Sequence, residues 1–159
     1  MTKLEGERAV YSAHRRSFIL RTSWVFGAGK KNFFSIVHRT LRASERVRAA
    51  TDVRASATYV LDFVERADEI LRHKRHATYH VVNSGICSYY DFALEAARNL
   101  KLSTGAVKQL IEPVFTSDIH LEAQRPRFTP MRCLMSEEIG LQPMRDWRAA
   151  LADYIRSDS

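Results

Sequence analysis

The sequence has 159 residues, of which 45% are hydrophobic and 27% are charged, which is enough for one globular domain with one core and short for an enzyme of two domains. Lys and Arg exceed Asp and Glu by seven, 25 against 18, and this excess suits either nucleic acid or a negatively charged small ligand. No segment approaches the roughly 18 consecutive apolar residues of a membrane span, and the acidic amino terminus resembles neither a secretory signal nor a transit peptide, so we expect a cytoplasmic protein without a membrane segment.

The first part of the chain alternates helical and extended patterns. Residues 2–13 are mostly helix formers and are typical of the end of a helix that begins earlier. Residues 17–26 are rich in β-branched and aromatic side chains and stop at Gly27-Ala28-Gly29, which predicts a buried strand leading into a loop. Asn32 then caps a predicted helix over 33–43, whose apolar residues recur at spacings of three and four.

The middle of the chain repeats this alternation. A short strand is predicted over 47–50 and a longer one over 78–82. Thr58 precedes an amphipathic helix between these strands, and we expect its buried side to comprise Val60, Phe63, Val64, Ala67, Ile70 and Leu71. Ser88 and Asp91 form a variant of the capping box at the start of a helix that runs to about Leu100.

The last third of the chain is less regular, and four features are predicted in it. They are a strand over 110–115 interrupted by Pro113, a long functional loop over 116–133, a helical turn over 136–139 that Gly140 stops, and a helix over 147–155 capped by Asp146. Strands that alternate with helices of about ten residues predict an α/β fold, and the strands are parallel because each helix supplies a crossover.

The cysteines and the spread of basic residues limit the partners. Cys87 and Cys133 lack CxxC spacing, so without a secretion signal they indicate two reduced thiols, and neither a disulfide framework nor a metal site. The basic residues are spread from Arg8 to Arg156 without a zinc-finger or RNA-binding signature. A nucleic-acid-binding domain is therefore the least favoured hypothesis for this chain, and we predict no nucleic-acid partner.

Seven segments of the chain, taken in order, match the motifs of one protein family. They are 2–7 around Lys3, Leu20-Arg21-Thr22-Ser23-Trp24-Val25-Phe26-Gly27, Asn32-Phe33, 52–58, 85–93, Arg125-Pro126 and 143–151. In this order they resemble the carboxyl-terminal half of the dTDP-4-dehydrorhamnose reductases, a branch of the extended short-chain dehydrogenases. The resemblance covers nearly the whole chain. It implies that residues 1–159 form the carboxyl-terminal part of a Rossmann-like fold, a truncated parallel sheet with a small substrate-binding subdomain, without the amino-terminal dinucleotide-binding part.

The resemblance also implies the reduction of a keto group on a dTDP-sugar. In the family a Tyr and a Lys spaced YxxxK carry the proton chemistry, because the Lys lowers the pKa of the phenol and also holds the cofactor ribose. Lys3 matches this lysine, and the tyrosine would lie four positions earlier, outside this sequence. Thr22 and Ser23 are the other cofactor-binding candidates. Since the sequence has no GxGxxG, we expect this chain alone neither to bind NADPH or NADH nor to catalyse the reaction.

Five residues are candidates for contact with the dTDP-sugar: Trp24, Asn32, Asp52, Thr58 and Arg125. The family's tryptophan at the position of Trp24 packs beside the sugar and the nicotinamide, and the alternative is a core or lid aromatic. For Asn32 the cap role is sufficient by itself, so ligand contact and capping both stay open. Arg125 is suited to bidentate contact with a diphosphate, whereas we expect Arg127 to be a solvated loop residue.

The loop over 52–58 departs from the family motif DQxGxPT at three places. Val53, Ala55 and Ala57 stand where the family has Gln, Gly and Pro, which changes the polar contacts and the backbone shapes available to the loop. Such drift leaves room for a second hypothesis, a non-catalytic binding or regulatory module similar to the methionine adenosyltransferase β subunit. The favoured hypothesis is the substrate-binding half of a reductase, inactive alone, whose partner is a missing amino-terminal half or a second copy. We expect the isolated chain to self-associate, because a sheet without its first strands has an open edge.

Overall fold

The computed structural model describes residues 2–29, 31–119 and 126–158, and within them helices and short strands alternate. The helices are α1 (Thr2–Ala13), α2 (Phe33–Arg42), α3 (Val60–Arg72), α4 (Tyr89–Asn99), α5 (Thr104–Leu110), α6 (Leu134–Glu138) and α7 (Trp147–Ser157), with a 3₁₀ turn at Thr116–Asp118. The strands are β1 (Ile19–Arg21), β2 (Val25–Phe26), β3 (Val47–Ala50), β4 (Arg54–Ala55), β5 (Thr58–Tyr59), β6 (Thr78–His80), β7 (Cys87–Ser88), β8 (Ile111–Val114) and β9 (Phe128–Thr129).

The strands form three parallel pairs and one small mixed sheet. β1 pairs with β6, β2 with β5, and β3 with β8, and each pair is joined through at least one helix. In the mixed sheet β4 is central, parallel to β9 and antiparallel to β7. The α/β class with parallel strands is therefore confirmed.

The core consists of two groups of apolar side chains. The larger group joins α2, α4 and α7 to the strands around Phe26, and its rings include Phe92 stacked on Trp147 at 5.4 Å between centroids. The smaller group surrounds Ile70 and Tyr79 beneath β1 and β6. The larger group holds α2, α4 and α7 in position, and these helices begin beside the predicted ligand loops.

Local capping signals locate three helices correctly. Asn32 Oδ1 accepts a hydrogen bond from the Ser35 amide at 3.0 Å, and the Ser88 and Asp91 side chains form the predicted reciprocal box. Asp146 caps α7. Each cap satisfies an amide that the first helical turn leaves unpaired.

Two predictions, the single strand over 17–26 and the buried side of α3, were wrong in detail. The single strand predicted over 17–26 is divided into β1 and β2, which pair with different partners, because the backbone turns at Trp24. On α3 only Ile70 is buried, while Val64 and Leu71 are 57% and 51% exposed. Helical spacing identifies a face, but the neighbours that cover it decide how much of that face is buried.

Helix α1 lies on the surface and contributes no buried residue. Two contacts attach it to the strands: Arg21 donates two hydrogen bonds to Glu7, at 2.9 and 2.6 Å, and the hydroxyls of Tyr11 and Thr78 lie 2.7 Å apart. Within the described ranges β1 pairs with β6 alone, so its second edge is open. None of the described helices combines the length and the apolar character needed to cross a bilayer.

Candidate functional site

Trp24 occupies a strained turn between β1 and β2. Its φ of 40° lies in the left-handed region, which costs a non-glycine residue on the order of 1–3 kcal/mol and recurs at functional sites. The Trp24 carbonyl accepts a hydrogen bond from the Thr58 amide at 3.2 Å. The indole, half-buried, lies 4.6 Å from the rings of both Phe34 and Tyr89. These contacts hold one edge of a large aromatic side chain at the surface.

Asn32 uses both ends of its amide inside the protein. Its Nδ2 donates to the Val25 carbonyl at 3.0 Å, while its Oδ1 caps α2. The cap role is therefore confirmed. Contact with a ligand stays a prediction, and it would have to use the second lone pair of Oδ1.

In the loop from 51 to 59, six of the nine residues are buried. Val53, Ala55 and Ala57 are at most 4% exposed, so the three departures from the family motif change the packing beneath the loop. Thr58 is fully buried, and its Oγ1 has no hydrogen-bond partner in the described part of the chain. Arg54 is the one exposed residue of 53–59.

Asp52 ties this loop to the 3₁₀ turn. Its carboxylate accepts hydrogen bonds from the amide of Thr116 at 2.9 Å and from the hydroxyl of Thr116 at 2.7 Å. These bonds, helped by the positive charge of Arg127, hold the pKa of Asp52 below its ordinary value. Asp52 is thus an ionised clamp, and its predicted contact with the substrate is untested.

The mixed sheet brings together the loop over 52–58 and the segment after Arg125, which are separate candidates in the sequence. The Arg54 amide donates to the Arg127 carbonyl at 2.8 Å, and Arg54 is paired in register with Phe128. The loop over 52–58 therefore lies beside the segment that follows Arg125. Arg125 itself lies outside the described residues.

Lys3, Thr22 and Ser23 lie toward the carboxyl end of β1. Lys3 is exposed on α1, one turn before Glu7, which is paired with the last residue of β1. Thr22 and Ser23 directly follow that residue, and Thr22 is exposed. Two hydroxyls and an ammonium fit the ribose and nicotinamide end of a dinucleotide. They do not provide the glycine-rich turn that a pyrophosphate needs.

A buried asparagine that was not among the predicted site residues is the centre of a polar network. Asn83 Oδ1 accepts from the Tyr59 amide at 2.8 Å, and its Nδ2 donates to Asp62 at 2.6 Å and to the Arg145 carbonyl at 3.2 Å. Asp62 is also paired with the Arg145 guanidinium, which raises the pKa of Arg145. A polar residue directly after a buried strand was the available signal. The network fixes the end of the 51–59 loop against the start of α7.

A cavity of about 270 Å³ lies between the end of β6 and α6. Its lining includes His80, Asn83 and Cys133, and none of the predicted site residues. The candidate site is therefore the surface around Trp24, the 51–59 loop and β9, where separate motifs converge.

Comparison with known proteins gives a consistent result. The family model that describes the RmlD substrate binding domain matches residues 1–159 of this chain. The chain is 32% identical to the spore coat polysaccharide biosynthesis protein SpsK of Bacillus subtilis over 158 residues, which are 99% of this chain and 53% of that protein. It is 31% identical to the dTDP-4-dehydrorhamnose reductase of Mycolicibacterium smegmatis, covering 97% of this chain and 46% of that one.

Among solved structures, the dTDP-4-dehydrorhamnose reductase of Bacillus anthracis in complex with NADP superimposes with a TM-score of 0.86 at 28% identity, over 99% of this chain and 54% of that one. The chain thus spans about half the length of the curated relatives it matches. The resemblance found in the seven sequence segments is confirmed.

Proposed function

Because the chain belongs to the RmlD substrate binding domain family, we propose that it is the sugar-nucleotide-binding half of a reductase that acts on a dTDP-sugar in the cytoplasm. The observation that carries the proposal is the convergence at one surface of Trp24, the loop over 51–59 and the segment after Arg125. Ligand sites of α/β proteins form in this way, from loops beyond the carboxyl ends of parallel strands.

The chain's own residues would bind and orient the substrate. The indole of Trp24, held by Phe34 and Tyr89, offers a rigid apolar wall for the sugar ring. Arg125 is the predicted contact of the diphosphate. Lys3 would hold the cofactor ribose and lower the pKa of the phenol that donates the proton. When bound, a reduced nicotinamide supplies the hydride.

The proposed activity requires a cofactor-binding half in addition to this chain. The open edge of β1 and the helix α1, which has no buried residue, are the surfaces on which a cofactor-binding half would complete the sheet. This cofactor-binding half is either an amino-terminal half or part of a second copy of the chain. We expect the chain alone to bind a dTDP ligand without reducing it and without retaining NADPH or NADH.

Calorimetric titration of the folded chain with dTDP, dTDP-rhamnose and NADPH tests the proposal. We expect the two dTDP ligands to bind and NADPH to give no heat beyond dilution. A chain with a cooperative thermal transition that binds neither dTDP ligand would overturn the proposal. That result would favour the non-catalytic module.

A further inference from the structure

In the mixed sheet, Ala55 of β4 and its registered partner Thr129 of β9 share one face. Ala55 is completely buried, whereas Thr129 on the edge strand is exposed. Because side chains alternate along a strand, Arg54 and its registered partner Phe128 share the opposite face. Both are exposed, and their strands lie about 4.8 Å apart.

Phe128 places an exposed aromatic ring on the same face as Arg54. Phe128 is 67% exposed, more than the other large hydrophobic side chains of the described residues. It lies on β9, the edge strand of the sheet, where it adds nothing to the core. An aromatic face beside a cation is a surface on which a planar base can stack.

The charge of this face suits an anion. Within residues 2–29, 31–119 and 126–158, neither Arg54 nor Arg127 has a carboxylate at ion-pair distance. The nearby carboxylate of Asp52 is turned toward Thr116, whose amide and hydroxyl it binds. The Arg54 guanidinium therefore remains available to a phosphate group.

We propose that Phe128 and Arg54 recognise the nucleotide end of the ligand, Phe128 by stacking on the pyrimidine base and Arg54 by binding the diphosphate. The inference rests on the proposed function and assigns the nucleotide to the exposed face of the mixed sheet. The sugar would then extend from this face toward Trp24, which is linked to the same loop through the Thr58 amide.

Calorimetry with dTDP, thymidine and inorganic pyrophosphate separates the two contacts. Phe128→Ala should weaken binding of dTDP and thymidine about 5- to 100-fold, the range found when a stacking ring is removed. Arg54→Ala should weaken dTDP about tenfold or more through the loss of a charge-assisted bond, and it should leave thymidine unchanged. Phe128→Leu keeps apolar area but lacks a ring face, and it should behave like Phe128→Ala.

Two control variants match these changes at distant sites. Arg46→Ala removes an exposed cation at the amino end of β3, and Leu71→Ala removes an exposed apolar side chain from the last turn of α3. Both should change dTDP binding by no more than about twofold, as is typical of surface positions. Circular dichroism of each variant checks that the fold is retained.

The outcomes distinguish this inference from the proposed function. If the parent chain binds dTDP and the Arg54 and Phe128 variants bind it equally well, the nucleotide lies elsewhere and the inference is overturned while the function stands. Full recovery of binding in Phe128→Leu would overturn the stacking role. If the folded parent chain does not bind dTDP, the function and the inference fail together.

Discussion

Replacing Asn83 by alanine should destabilise the domain more than any exposed substitution, because Asn83 is 1% exposed and makes three hydrogen bonds. The variant removes the acceptor of the Tyr59 amide, and Tyr59 is itself only 6% exposed.

The magnitude follows from the individual bonds. A buried amide left unpaired costs about 1–3 kcal/mol, and each lost bond contributes about 1 kcal/mol. Asp62 keeps two hydrogen bonds from Arg145, so its carboxylate is not left alone. We therefore expect Asn83→Ala to lower the free energy of unfolding by about 2–4 kcal/mol.

Urea denaturation followed by circular dichroism measures this loss. The matched control is Asn99→Ala, since among the described residues the Asn99 side chain donates only to Glu95 on its own helix, and we expect a cost below about 1 kcal/mol. An equal slope against urea in both variants would show that the midpoint reports stability. A cost below about 1 kcal/mol for Asn83→Ala would refute the assigned role of the network.

Three further predictions concern His38, the two cysteines and Gly85. Burial lowers the pKa of His38 from its ordinary 6.5, so the unfolded chain binds that proton more readily, and the free energy of unfolding should fall as pH drops below 6.5. His38→Gln should reduce this slope in a pH series of thermal melts, and an unchanged slope would contradict the assignment. Burial raises the pKa of Cys87 to about 12, so iodoacetamide at pH 8 should modify the half-buried Cys133 first in the native protein, as read by peptide mass spectrometry. Equal labelling rates would contradict this. Gly85→Ala should cost about 2 kcal/mol or more in thermal unfolding, because φ is 92° and the added Cβ would lie 2.8 Å from an indole carbon of α7. Gly140→Ala, with φ of 82° and open space, should cost only about 1 kcal/mol from backbone strain, so equal losses would exclude the steric contribution.

The helices could be predicted because their signals are local. The cap at Asn32 and the box formed by Ser88 and Asp91 depend on residues three positions apart. Ser103 caps α5 in the same way, with its Oγ accepting from the Ala106 amide at 3.2 Å, and the sequence analysis overlooked it. Short-range hydrogen bonds thus carried most of the correct secondary structure.

The site depended on pairings that no local pattern encodes. The break at Trp24 divides one apolar run between two strand pairs, because Val25 and Phe26 pair with β5 while β1 pairs with β6. The pairing of Arg54 with Phe128 joins segments more than 70 residues apart. Motif resemblance identified the loops that meet, and only the fold shows which of their side chains face outward.

The two tryptophans differ in a way that makes the chain its own optical reporter. Trp147 is completely buried against Phe92, whereas Trp24 is half-buried at the candidate site. Fluorescence of Trp147 should therefore follow global unfolding, and iodide quenching should act mainly on Trp24. A Trp147→Phe variant would leave Trp24 as the one tryptophan, at the proposed sugar wall. Its emission would then report ligand occupancy, while Trp147 in the parent chain reports the integrity of the domain, both without an attached dye.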